Sequence, residues 1–136
     1  MSSTTGNVKI RIMVVDDEPD ILLAMSSILW CRGHYVKTFD KAASALEHLS
    51  SEALQYDLVI TDYRMPGGIS GLDLAKIIKK YARKTKVFLM TAFDISSSLE
   101  FSEASESKIV DEVLQKPISN DRLIAIIEKN FLHNNH

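Results

Sequence analysis

The sequence predicts an α/β fold, a doubly wound (βα)5 three-layer sandwich in which one parallel five-stranded sheet lies between two layers of helices. Two observations predict it. Five short apolar runs rich in β-formers alternate with five longer stretches of helical periodicity, the rhythm of repeated strand–helix units. The chain also has 136 residues, 46% of them hydrophobic and 25% charged, enough for one ordinary core and too few for a second domain of normal size.

Taken in order, Ile10–Val15 reads as the first strand. Glu18–Cys31 follows as a helix opened by Pro19, whose fixed φ suits a first turn, with Ile21, Met25, Ile28 and Leu29 at helical spacing. Tyr35–Phe39 is the second strand, and Ala42–Leu54 the second helix, carried by Ala42, Ala45, Leu46 and Leu49. Leu58–Thr61 is the third strand. The third helix, Gly71 to Tyr81, sets Leu72, Ala75, Ile78 and Ala82 on one face. After the fourth strand, Val87–Met90, the segment Ser96–Ser107 carries six serines, which compete for backbone hydrogen bonds, so a short, frayed or displaced helix is expected there. Val110–Leu114 is the fifth strand, and Ser119 caps a last helix bearing Leu123, Ile126, Ile127 and Phe131. Residues 1–8 and 133–136 are expected to be disordered tails around one folded domain at 9–132.

Sixteen basic against 18 acidic residues give a formal charge of −2, without the basic excess that electrostatic binding to nucleic acid needs. Proteins or small ions are the expected partners. The longest apolar run, Ile21 to Met25, is far too short to span a membrane, and the start is neither basic nor apolar enough for a secretory signal, so a cytoplasmic location is expected. Cys31 has no second cysteine to pair with, and both it and Trp30 are expected to pack at the edge of the first helix. The four histidines show no metal-ligand spacing. Lys76, Lys79, Lys80, Arg83, Lys84 and Lys86 form a basic cluster on and after the third helix, read as a solvated face or a contact for an acidic partner.

In a doubly wound sheet, ligands collect where the strands end. Here the first strand ends in Asp16 and Asp17, the third in Asp62, the fourth in Thr91, and the fifth in Lys116 followed by Pro117. Singly, each has an ordinary explanation in turn chemistry or β-propensity. Together they gather three carboxylates, a hydroxyl and an ammonium at one end of the sheet. Carboxylates at 4 Å repel by roughly 4 kcal/mol per pair at an effective dielectric of 20, so a cation should accompany them. Hard oxygen ligands suit Mg²⁺, which could neutralise an incoming phosphate while one carboxylate attacks phosphorus. Lys116 and Thr91 would then contact the phosphoryl oxygens.

The runs MVVDDEPD at 13–20, LVITDYRMPGGISGLDL at 58–74, FLMTAFD at 88–94 and LQKP at 114–117 resemble the receiver domain of two-component response regulators, over about Ile10 to Phe131. The resemblance implies a flavodoxin-like sheet of order 2-1-3-4-5. It implies that Asp62 is the phosphoacceptor and that Asp17 directly, Asp16 through water and the backbone carbonyl of Arg64 hold Mg²⁺. Thr91 and Lys116 match the family's switch hydroxyl and its lysine, and the bond to Pro117 is cis in such proteins. A sensor histidine kinase or a phosphotransfer protein donates the phosphoryl group; the receiver is not a separate enzyme but assists its own phosphorylation and dephosphorylation. A downstream protein then reads the change.

Three features depart from the family pattern. Val113 stands where the fifth strand usually carries an aromatic switch residue, the stretch from Thr91 to Lys116 is longer than usual, and Gly67–Gly68 lengthens the loop after Asp62. Two expectations follow: residues 94–108 are mobile and become ordered on phosphorylation or partner binding, and the Arg64 side chain hangs over the pocket and affects water access. Other classes fit less well. An aspartyl-phosphate phosphatase wants its second carboxylate two residues after a nucleophile on the first strand, where Glu18 follows Asp16, and a cap domain for which there is no room. A nucleotide or flavin binder wants a phosphate loop where Asp16–Asp17–Glu18 would repel phosphate. A receiver-like binding module that is never phosphorylated is the main rival.

Overall fold

The computed structural model describes residues 8–52, 55–92 and 99–132. In chain order the elements are β1 (Arg11–Val15), α1 (Pro19–Cys31), β2 (Tyr35–Phe39), α2 (Ala42–Glu52), β3 (Leu58–Asp62), α3 (Gly71–Tyr81), β4 (Lys86–Thr91), α4 (Leu99–Glu106), β5 (Glu112–Gln115) and α5 (Asn120–Phe131). All neighbouring strands are parallel, in the order β2-β1-β3-β4-β5, as the resemblance implied.

Side chains of a strand alternate between faces, and the three central strands use both for burial. Met13, Val15, Val59, Val87 and Leu89 join one apolar cluster with Ala45, Leu72, Ala75 and Ile78 of α2 and α3 and Phe101 and Ala104 of α4. Ile12, Val14, Leu58, Ile60, Phe88 and Met90 join a second with Met25 and Leu29 of α1 and Leu123, Ile126 and Ile127 of α5. The sheet is thus the middle of three layers.

Helix starts follow the capping chemistry. Ser70 Oγ accepts from the Asp73 N–H while the Asp73 carboxylate accepts from the Ser70 N–H, a reciprocal box that fixes where α3 begins. Ser119 Oγ accepts from the Arg122 N–H and does the same for α5. α1 starts at Pro19, with Glu18 just outside it.

The structure departs from the sequence reading chiefly at the start of β5 and at the end of α1. β5 begins at Glu112 rather than Val110, because the Ile109 and Val110 N–H groups donate back to Ala104 O at the end of α4 and are not available to the sheet. Trp30 is 64% exposed and Cys31 is exposed, so neither packs as expected. At 100° per residue both have rotated away from the face that buries Met25 and Leu29. The fourth helix is indeed short, eight residues, but it is anchored by buried Phe101 and Ala104. The first part of the segment expected to be mobile, residues 94–98, lies outside the described residues, as do 53–54 at the end of the second helix and the tails apart from Val8. Among the described residues no helix is long and apolar enough to cross a membrane.

Candidate functional site

Register brings the strand ends together. Val15 pairs with Thr61, Asp62 with Met90, and Thr91 with Gln115, so the residues just beyond β1 and those ending β3, β4 and β5 share one edge of the sheet. The Lys116 N–H donates to Thr91 O and the Tyr63 N–H to Met90 O, both at 2.7 Å, which extends the ladder past the strands and fixes the backbone of the site. The Lys116–Pro117 bond is cis.

Asp16 is fully buried and Asp62 is 7% exposed, whereas Asp17 is open to solvent. Oxygens of the three carboxylates lie within 4.8 Å of one another. Lys116 Nζ reaches into this group, 3.0 Å from Asp16 Oδ2 and 3.3 Å from both Asp62 Oδ1 and Glu18 Oε1. The second Asp16 oxygen accepts from the Glu18 N–H at 2.9 Å. Around them a cavity of about 280 Å³ is lined by Asp17, Glu18, Asp62, Tyr63, Arg64, Thr91, Ala92 and Lys116. Every site residue expected from the sequence is at this end of the sheet; Asp16 lies beneath the others, held by the Glu18 N–H and Lys116.

One ammonium does not balance three acids. Burial, then the charge of Asp16, push the Asp62 carboxyl up to about 6, with Lys116 opposing and Asp17 adding to the rise. Burial disfavours the Lys116 ammonium, but hydrogen bonding and charge from Asp16 and Asp62 outweigh it and raise its pKa. An acidic pocket still short of positive charge, with hard oxygen donors converging, fits a divalent cation of the Mg²⁺ kind.

Three contributors were not singled out as functional in the sequence. Glu18 extends the Lys116 ion pair outward. Tyr63, next to Asp62, lines the cavity, donates its hydroxyl to Glu100 Oε1 at 2.7 Å and meets the Phe101 ring edge-on at 4.9 Å between centroids. Gly71 opens α3 against the site, its N–H donating to Tyr63 O at 2.7 Å; a Cβ there would stand 2.0 Å from Asp62 O. The available signal was a glycine at a first helical turn, where most residues would serve the helix better. Gly67 and Gly68, with φ of +104° and +86°, turn the lengthened loop between them.

The parallel sheet with this acidic pocket at its carboxyl edge defines a receiver domain of two-component signalling, and the model of the response regulator receiver domain family matches residues 12–128. The chain belongs to that family. It is 32% identical over 122 residues to the DNA-binding transcriptional regulator NtrC of Escherichia coli K12, covering 90% of this chain and 25% of NtrC. It is 33% identical over 119 residues to the transcriptional regulatory protein FixJ of Bradyrhizobium diazoefficiens, covering 87% of this chain and 55% of FixJ. The chain therefore spans a quarter to about half the length of these relatives. Among solved structures, response regulator TrrA of Thermotoga maritima, in complex with Mg²⁺–BeF, superposes with a TM-score of 0.75 at 36% identity, covering 88% of this chain and 97% of that one.

Proposed function

We propose that this receiver accepts a phosphoryl group on Asp62 from a sensor histidine kinase or a histidine phosphotransfer protein, in the cytoplasm, and signals by changing its contacts with a downstream protein. The observation that carries this reading is the convergence of Asp16, Asp17 and Asp62 within 4.8 Å around the Lys116 ammonium.

Asp16, Asp17, Asp62 and the backbone carbonyl of Arg64 would hold Mg²⁺, which when bound supplies the positive charge that phosphate oxygens and crowded carboxylates need. The ionised Asp62 oxygen attacks phosphorus; the P–N bond of the donor phosphohistidine breaks and its electron pair returns to the imidazole. Lys116 Nζ, 3.3 Å from Asp62 Oδ1, is within reach of the transferred phosphoryl oxygens, and the Thr91 hydroxyl donates to them. Hydrolysis of the acyl phosphate resets the site. Arg64 lines the cavity through which that water enters, so Arg64→Ala should alter the dephosphorylation rate. A decay constant unchanged in a single-turnover assay would refute the Arg64 role.

The test of the whole reading is intact mass after incubation with acetyl phosphate. A Mg²⁺-dependent phosphoryl adduct that disappears with EDTA and in Asp62→Asn is expected. If neither an adduct nor a beryllofluoride complex forms, the chain is a binding module that is not phosphorylated.

A further inference from the structure

The basic cluster is not used by the Asp62 chemistry. It lies at the other end of the sheet, since Lys86 begins β4 and Thr91, at the Asp62 edge, ends it. There the end of α3, the turn into β4 and the turn after α4 enclose a concavity of about 670 Å³. It is lined by six cations, Lys76, Lys79, Lys80, Arg83, Lys86 and Lys108, against one carboxylate, Asp111. That carboxylate is already engaged through one oxygen: Asp111 Oδ2 accepts from Lys79 Nζ and from the Val87 N–H, both at 2.8 Å. Lys79 also donates to Thr85 O at 2.8 Å, so this pair serves the fold. The other five cations form no ion pair among the described residues.

Lysines at helix ends often just offset the helix dipole. The carboxyl ends of α3 and α4 account for roughly half a charge each, which leaves most of the positive excess uncompensated. Lys108 adds a separate observation. It sits at φ +66° after α4, a left-handed position that favours glycine, yet it carries a long cationic side chain at the lip of the pocket. Its backbone conformation gives the fold no reason to prefer lysine there.

We propose that this concavity binds a compact polyanion bearing several phosphate groups, an inorganic polyphosphate or the phosphate tail of a nucleotide. The volume is that of a small-ligand site, and lysine and arginine are the donors that phosphate oxygens select. A long polymer fits less well, because α4 carries Glu100, Glu103 and Glu106 and the positive field stops there.

Calorimetric titration of the full chain with sodium tripolyphosphate, in EDTA so that the acidic pocket cannot take up the anion through a metal, tests this. One site is expected, weakened by salt, with orthophosphate binding far less. Arg83→Ala combined with Lys86→Ala should weaken binding about tenfold, as should Lys108→Gly, the latter with an unchanged or higher Tm. Lys129→Ala, on α5, should leave binding unchanged. Equal affinities for tripolyphosphate and ATP would mean that only the phosphate chain is read; a tighter ATP complex would identify a nucleotide. The proposal fails if tripolyphosphate gives no heat at low salt, if Lys129→Ala weakens binding as much as the pocket variants, or if an acidic peptide or an oligonucleotide binds more tightly.

Discussion

Burial and the neighbouring Asp16 charge hold the Asp62 carboxyl at about 6, so the folded chain grips that proton more tightly than the unfolded chain, whose aspartates titrate near 3.8. The stability this proton confers is complete below about pH 4, declines as pH rises to 6 and is lost above, leaving ionised Asp62 as a cost on the order of 2–3 kcal/mol in metal-free protein. Asp62→Asn should therefore raise the metal-free Tm at pH 8 and change it little at pH 4, as thermal melts in EDTA will show. A second residue is constrained by space alone. Gly71→Ala would drive a Cβ into Asp62 O, a backbone atom that cannot swing aside, so about 2 kcal/mol of destabilisation and slower phosphorylation by acetyl phosphate are expected. Chemical denaturation and adduct mass measure the two. Asp16, Asp17, Asp62, Thr91 and Lys116 could be placed together from the sequence because each ends a strand or directly follows one. Gly71 could not, since a glycine in a first helical turn only hints at a close approach, and that the approach is to Asp62 O comes from how α3 meets β3.

Among the elements, α4 shows how packing sets what serine content weakens. The serines predicted a short, frayed or displaced helix; the helix is short, and its two buried side chains, Phe101 and Ala104, offset the local cost of Ser102 and Ser105 within it. Val113 on β5 stands where the resemblance implied an aromatic residue, yet Tyr63, the residue after Asp62, is itself joined to α4 through its hydroxyl and its ring. Tyr63→Phe keeps the ring contact and deletes the bond to Glu100, an exposed one whose loss should cost about 0.5 kcal/mol. Amide exchange over 99–106 should quicken in that variant, and the difference between phosphorylated and unphosphorylated protein there should shrink. Unaltered exchange would mean that α4 takes no signal from Tyr63. Strand boundaries were readable to within a residue for β1 to β4, where short runs of β-formers stop at polar residues. At β5 they were not, because the backbone donors of Ile109 and Val110 were claimed by α4.

For the molecule as a whole, the layered architecture followed from the alternation of strand and helix signals, and the charge arrangement followed from where the turns fall. A cation that binds only the folded pocket stabilises the entire domain: at a hundred times its Kd, Mg²⁺ should add about 2.7 kcal/mol, measured as a Tm rise that EDTA reverses and that Asp62→Asn diminishes. Carboxylates crowd the end of the sheet where Asp62 sits, and lysines and an arginine, all but Lys79 without an ion pair among the described residues, crowd the other, separated by the length of β4 at about 3.3 Å per residue. A chain that is nearly neutral in total is therefore polarised along its strands. In the field of a charged partner it turns before it touches, so that a cationic surface meets the Asp62 end first and an anionic one the far end. Orientation would precede contact, and salt that shortens the reach of charge to about 8 Å would leave it to chance.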